Sequence, residues 1–250
     1  MKHKVIHLSA IALLLFFTTS IFSQESMKLA SLKNKRVLLV YGGWEGHQPE
    51  AFAKRVNEWL QKEGAIVTLS DSLGVYTQKE IMENTDIIIQ HWTMGQISKE
   101  QSNALQKAVK NGVGLAGCHG GLGDSFRNNT GYQYMIGGQF VAHPGGLINY
   151  TVKISNEKSP ISKGLKSFDI KHTEQYYMHI DPKVKVLATT TFSNTYDYWI
   201  EGAVMPICWT TKFGKGNIFY LSIGHDPQDF DNYESWQLLT RGIKWVNTNH

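Results

Sequence analysis

The chain has 250 residues, with 25 Lys and Arg against 21 Asp and Glu, a formal net charge of +4, seven Trp and eleven Tyr. Without Lys2 and Lys4 the balance is 23 against 21, and no basic stripe or charge block stands out, which argues against a nucleic-acid partner. About 227 residues beyond a leader suffice for one well-cored domain, and two cysteines are too few for a disulfide scaffold.

The N-terminus reads as an export signal. Lys2 and Lys4 precede "AIALLLFF", an apolar core short for a bilayer span, and "TTSIFSQES" supplies small residues for cleavage near Ser23. No Cys near the cut supports a lipid anchor. Residues 1–23 are therefore expected to leave as a signal peptide, 24–34 to form a tail, and 35–250 to make a single periplasmic or secreted domain with no membrane attachment.

"KRVLLVYGG" (35–43) is a near-continuous apolar run ending in two glycines, the pattern of a buried parallel strand and its turn. Residues 48–64 repeat Phe52, Val56 and Leu60 at helical spacing, with Pro49 suited to the first turn and Gly64 to the stop. "AIVTLS" (65–70) predicts a second strand, "TQKEIMEN" a short helix and "TDIIIQHW" (85–92) a third strand. Residues 98–112 predict a helix with a Ser98 capping box and a Gly112 stop, and "VGLAGCH" (113–119) a fourth strand. The second half reads as strands in "INYTVKIS", "FDIKHTEQYYMHI", "VKVLATTTF" and "MPICWTTKFGKGNIFYLSIGH", with a hairpin at Gly214-Lys215-Gly216 and a final helix carrying Trp236, Leu239, Ile243 and Val246. Alternating strands and helices predict an α/β, flavodoxin-like three-layer sandwich with a mostly parallel sheet and a β-rich extension. Cys118 and Cys208 lie in apolar strand-like runs and read as two buried free thiols, although export permits a disulfide.

Ligands of open parallel sheets bind outside the carboxyl ends of the strands. His47 follows the first predicted strand, His91 ends the third, His119 ends the fourth and His225 closes the last, while His143 sits in a Gly-rich loop. In a flavodoxin-like order the first, third and fourth strands are neighbours, so these imidazoles converge, and a shared pocket of His47, His119 and His225 is expected. His172 reads as a solvated strand face; His3, His7 and His250 fall in the leader and the tail. "GVGLAGCHGG" resembles a strand–turn–helix elbow, Gly-x-apex-x-Gly. The register with glycine at both positions puts His119 at the apex and turns Cys118 into packing. An imidazole there serves as general acid/base or as metal ligand, and both roles stay open. No HExxH spacing occurs, so a divalent metal such as zinc would rest on long-range convergence of His47, His119 and His225.

"YGGWEGHQPE", "GVGLAGCHGG", "GGQFVAHPGG", "HTEQYY" and the closing "LSIGH" together resemble the ThuA-like family, named for trehalose utilisation, across roughly residues 35–246. The family looks like a relative of class I glutamine amidotransferases in which the elbow Cys is replaced, here by His119. The resemblance implies roles for His47, for His143 in "FVAHP", for Glu174 and Tyr176 in an Asp/Glu-Glu-x-Tyr element, and for His225 in the closing Gly-His. Thr173 stands where that element's first acid would be, which leaves Glu174 alone. The implied substrates are sugars, including keto-sugars.

Two functions follow. As an enzyme, the protein would act on a sugar or keto-sugar with His119, Glu174 and His47 as catalytic groups, and with Trp44, His143, Tyr176, Tyr177 and His225 contacting the carbohydrate. As a non-catalytic binding protein, it would use Trp44, Trp92 and Tyr177 to stack on sugar rings. A cysteine amidotransferase acting through Cys118 would need a downstream His-Glu pair, and His-x-Glu occurs nowhere near the expected late position.

Overall fold

The apolar runs are long because the strands are buried on both faces, and the computed structural model, which describes residues 29–247, shows which residue serves which face. Strand β1 (Arg36–Gly43) sends Val37 and Leu39 to one layer and Leu38 and Val40 to the other. Helix α1 (Pro49–Lys62) fills the first layer with Phe52, Ala53, Val56 and Leu60. Then come β2 (Ile66–Ser70), the short α2 (Lys79–Glu83), β3 (Ile87–Thr93) and α3 (Lys99–Asn111), which puts Leu105 and Val109 in the second layer. Ser98 caps α3 as its sequence predicts: its hydroxyl accepts from Gln101 N–H, and the Gln101 side chain accepts from Ser98 N–H. Strand β4 (Gly114–Cys118) leads into the single turn α4 (Gly120–Gly123).

The second half of the chain holds α5 (Thr130–Ile136), β5 (Gly138–Ala142), β6 (Leu147–Ile154), β7 (Phe168–Glu174), β8 (Tyr177–Ile180), β9 (Lys185–Thr191), β10 (Val204–Phe213), β11 (Gly216–Leu221) and α6 (Tyr233–Val246). The main sheet runs β2-β1-β3-β4-β11-β10-β9-β6-β7. Its first five strands are parallel and the rest are antiparallel, so a flavodoxin-like half carries a β-rich extension. Strands β5 and β8 pair separately. Helices α1 and α6 cover one face; α3 and α5 cover the other.

Three local expectations change. Residues 29–34 are not a loose tail, because Leu32 is fully buried in the α1 layer and Asn34 N–H bonds the Gly64 carbonyl. The predicted signal peptide lies outside the described residues. "FDIKHTEQYYMHI" is two strands: the chain leaves the main sheet after Glu174, and β8 joins β5 instead. His143 sits in a Gly-rich loop, as its sequence predicts, but strand β5 leads into that loop, and the helix α5 before it, capped by Asn129, is only seven residues long and leaves little pattern to announce it. The cysteines are free and buried. Leu221 pairs with Cys118 on one side and Cys208 on the other, so their Cα atoms lie two strand spacings apart, roughly 9–10 Å, beyond disulfide reach.

Candidate functional site

His119 occupies the elbow. Its φ of 48° and ψ of −141° are unusual for a residue with a Cβ and cost of order 1–3 kcal/mol unless the surroundings hold them. They are held. His119 N–H donates to Leu221 O at 2.7 Å, and its carbonyl accepts from Gly123 N–H and Tyr220 O–H. The flanking glycines are there for space: a Cβ on Gly120 would lie 2.7 Å from His47 Cε1, and one on Gly117 would lie 2.6 Å from the Gln90 carbonyl. Beneath the turn, Gln90 of β3 is buried against α4. It accepts from Tyr76 O–H at 2.8 Å, and its amide reaches Ser125 Oγ and Tyr132 Oη. A fully satisfied buried network of this kind fixes one arrangement of the turn.

The elbow aims His119 at Glu174, the last residue of β7, with Nε2 3.0 Å from Oε2. His47, in the turn after β1, puts Nε2 3.9 Å from the same oxygen, and His225, after β11, puts Nδ1 at 3.4 Å. These four donor atoms lie within 4.8 Å of one another and could hold a metal ion. His143 stands at the rim, 41% exposed, with Nε2 3.6 Å from the other oxygen, Oε1. The loops after three parallel strands thus meet a carboxylate supplied by the extension, as the strand-end rule requires.

The donor chemistry tests whether a cation fits. His119 Nδ1 lies 2.7 Å from the Ser222 carbonyl oxygen, which only accepts, so Nδ1 carries the hydrogen. Burial lowers the His119 pKa to about 4, even though Glu174 beside it pulls the other way, so the ring is neutral at pH 7 and Nε2 presents a lone pair. Burial pushes Glu174 up, but the surrounding imidazoles outweigh it and hold the carboxyl well below the usual carboxylate range; with the His119 hydrogen on Nδ1, that pull comes from His225, whose own pKa the carboxylate raises, and from His47. A lone pair and a carboxylate oxygen therefore face each other at 3.0 Å. His47 Nε2 and His225 Nδ1 are buried, without hydrogen-bond partners, and turned to the same oxygen. A divalent cation resolves all three contacts. Backbone and hydroxyl partners on the far nitrogens are the usual support of histidine ligands. Ser222 O gives it to His119, and Thr93 Oγ1, 2.9 Å from Nδ1, gives it to His47. Thr93→Val is expected to keep the fold and to weaken zinc binding by about 10–100-fold, measured by competition with a chromophoric chelator.

The remaining sequence candidates separate by place. Trp44 is 45% exposed, edge-on to the His47 ring with centroids 4.7 Å apart, at the mouth. Tyr176 does not reach the mouth: it is 1% exposed and stacks on His119 at 4.1 Å, pinned from behind by Phe140. It positions the imidazole. Tyr177 is half-buried against Phe192, and Trp92 packs over Gly42 and Gly95. His172 is exposed, as read from its sequence.

His91 does not join the convergence. It turns into the α1 layer, stacks on Phe52 at 3.9 Å and lies 3.7 Å from Cys118 Sγ. Burial lowers its pKa to about 3 and raises that of the Cys118 thiol, so this pair is inert. The unfolded chain binds a proton at His91 near pH 6.5 that the folded one refuses until about 3. Stability is therefore expected to fall with acidification across that window, by up to about 1.4 kcal/mol per pH unit, and His91→Phe should flatten the slope in urea titrations from pH 6 to 4.

Sequence reading missed Thr93, Ser222 and Asp229. Asp229 Oδ2 accepts from Thr173 Oγ1 at 2.7 Å and from His225 N–H at 3.0 Å, tying the Glu174 strand end to the His225 loop. Thr173, where a carboxylate was expected, is that tie. The one available signal for the supporting network was Gln90, a polar residue inside "DIIIQHW".

Three solved structures show where this fold occurs. A ThuA-like protein from Bacteroides uniformis aligns with a TM-score of 0.71 at 21% identity, covering 88% of this chain and 94% of its own. A ThuA-like protein from Parabacteroides merdae gives 0.71 at 15% identity, covering 86% and 91%. The β-galactosidase from Rahnella sp. R3 gives 0.56 at 14% identity, covering 85% of this chain but 32% of its own. At these identities the likeness concerns the fold. Among curated proteins none matches the sequence significantly. The ThuA family model, described as trehalose utilisation, matches residues 36–246, and the chain belongs to that family.

Proposed function

We propose that the protein is an exported enzyme of carbohydrate catabolism that acts on a sugar or keto-sugar at the His/Glu centre, with a divalent metal held by His47, His119, His225 and Glu174. The family's link to trehalose utilisation supports the substrate class. The observation that carries the chemistry is the meeting of four donor atoms around one point, with an aromatic ring and a part-exposed imidazole at the opening.

Three nitrogens and a carboxylate oxygen suit zinc, which when bound would serve as a Lewis acid toward a sugar carbonyl or hydroxyl oxygen. The chain's own residues divide the remaining work. An imidazole brought down to about 4 and a carboxylate held below its usual range are weak bases at pH 7, so His119 and Glu174 serve better as ligands than as proton carriers. His143 lies outside the four donors, at the rim and against Glu174 Oε1. It is the group placed to give or take a proton at the substrate. A ketone acidifies the adjacent C–H, so isomerisation, or elimination of a glycosidic group, needs one such base and a stabilised oxygen. Trp44 offers its exposed ring to the sugar. The partner is a small carbohydrate, and no nucleic acid is expected. No helix among the described residues is long and apolar enough to cross a membrane.

The test is metal analysis of protein purified without added metal, followed by incubation with trehalose and its 3-keto form, read by product NMR. Turnover of the keto form that stops on chelation and in His119→Ala is expected. Binding without turnover would make the protein a carbohydrate-binding module, and neither binding nor change would refute the sugar reading. An N-terminus at Gln24 in the exported protein would support cleavage near Ser23.

A further inference from the structure

We propose that a groove beside the centre binds the second, non-reacting unit of an oligosaccharide, with Tyr196 as its stacking platform. The proposal rests on the carbohydrate reading above and adds what sets substrate length.

The groove encloses about 550 Å³ between β6 and the chain that follows β9. Its walls carry the amide of Asn149, the hydroxyls of Thr151, Ser193 and Thr195, the ammonium of Lys153 and the ring of Tyr196. No carboxylate lines it, so nothing there recruits a cation. Hydroxyls and amides both donate and accept, which matches the hydroxyls of a neutral sugar better than an apolar or a strongly charged ligand. Tyr196 is 54% exposed, so a large part of its ring is open to a ligand.

The groove touches the catalytic region at two points. Gln175, in its wall, directly follows Glu174 and is fixed by an amide hydrogen bond to Thr190 Oγ1 at 2.7 Å. Tyr196 covers Gly145 so closely that a Cβ there would lie 2.5 Å from the ring. Gly145 is two residues from His143, a span of at most about 7 Å. The residue proposed to move the proton and the proposed platform are thus parts of one packed loop contact. A substrate of two linked rings would place its reacting ring at His143 and its second ring on Tyr196.

The experiment compares a 3-keto-disaccharide with methyl 3-keto-glucoside as substrates of the mature, metal-loaded protein. Tyr196→Ala is expected to raise KM for the disaccharide about tenfold, the loss of one aromatic contact, and to leave the monosaccharide unchanged. Tyr196→Phe should retain both, and His119→Ala should abolish both. Saturation-transfer NMR on the wild type should mark protons of both rings of the disaccharide. If only one ring is marked, or if Tyr196→Ala changes both substrates alike or neither, the groove is not a sugar subsite, although the carbohydrate reading stands. If the wild type binds and converts neither compound, the carbohydrate reading fails and this proposal fails with it.

Discussion

Glu174→Gln is expected to abolish tight zinc binding and to lower turnover by at least about 10²-fold, while costing the metal-free protein no more than about 1 kcal/mol of stability. The size of the stability change is the informative part. In the metal-free wild type a carboxylate oxygen faces the bare Nε2 of His119 at 3.0 Å, with the Nδ1 hydrogen committed to Ser222. A carboxamide can turn its NH₂ toward that lone pair and satisfy it. If the pair were instead an imidazolium–carboxylate ion pair, removing the buried charge would leave its partner uncompensated and cost about 3–5 kcal/mol. Urea denaturation of both proteins in excess chelator separates the two cases.

Gly120→Ala should damage fold and site together. Position 120 is helical with an ordinary φ, so on propensity alone alanine would be favoured by up to about 1 kcal/mol. The new methyl would lie 2.7 and 2.8 Å from His47 Cε1 and Nδ1, and 2.8 Å from Thr93 Cγ2. Both neighbours are buried, and His47 is also held by its hydrogen bond to Thr93. The clash is expected to reverse the propensity gain and destabilise by about 1–3 kcal/mol. It should also swing His47 Nε2 away from Glu174 and lower zinc affinity by more than Thr93→Val does. Denaturant midpoints and zinc titration of the same preparations would check both. A neutral or stabilising Gly120→Ala would mean that the glycine is not there to admit the ring.

The parallel half of the fold was legible because its determinants are local. "KRVLLVYGG" and "TDIIIQHW" are apolar at both alternating positions, which a strand covered by helices on both faces requires, and the Ser98 box starts α3 where the sequence places it. The elbow register was legible too, since only the alignment with His119 at the apex puts glycine on both sides. The extension was harder to read. Alternating polar and apolar residues mark strands without saying which strand they pair, so the break after Glu174, with β8 joining β5, left no trace in the pattern. His91 shows a further limit. Its sequence reads as a strand end like that of His119, but it lies within β3, where strand pleating sends its ring to the α1 layer, and a sequence records the position of a histidine more readily than its direction. The hydrogen-bond partners Thr93, Ser222 and Asp229 are common residue types that gain meaning only through contacts across 46, 103 and 56 residues.

The most direct test is a crystal of the mature protein grown with one equivalent of zinc and measured for anomalous scattering at the zinc edge. One ion is expected per chain, about 2.0–2.2 Å from His47 Nε2, His119 Nε2, His225 Nδ1 and Glu174 Oε2. Zinc bound elsewhere, or a direct His119–Glu174 hydrogen bond persisting at neutral pH with no ion between them, would contradict the metal centre.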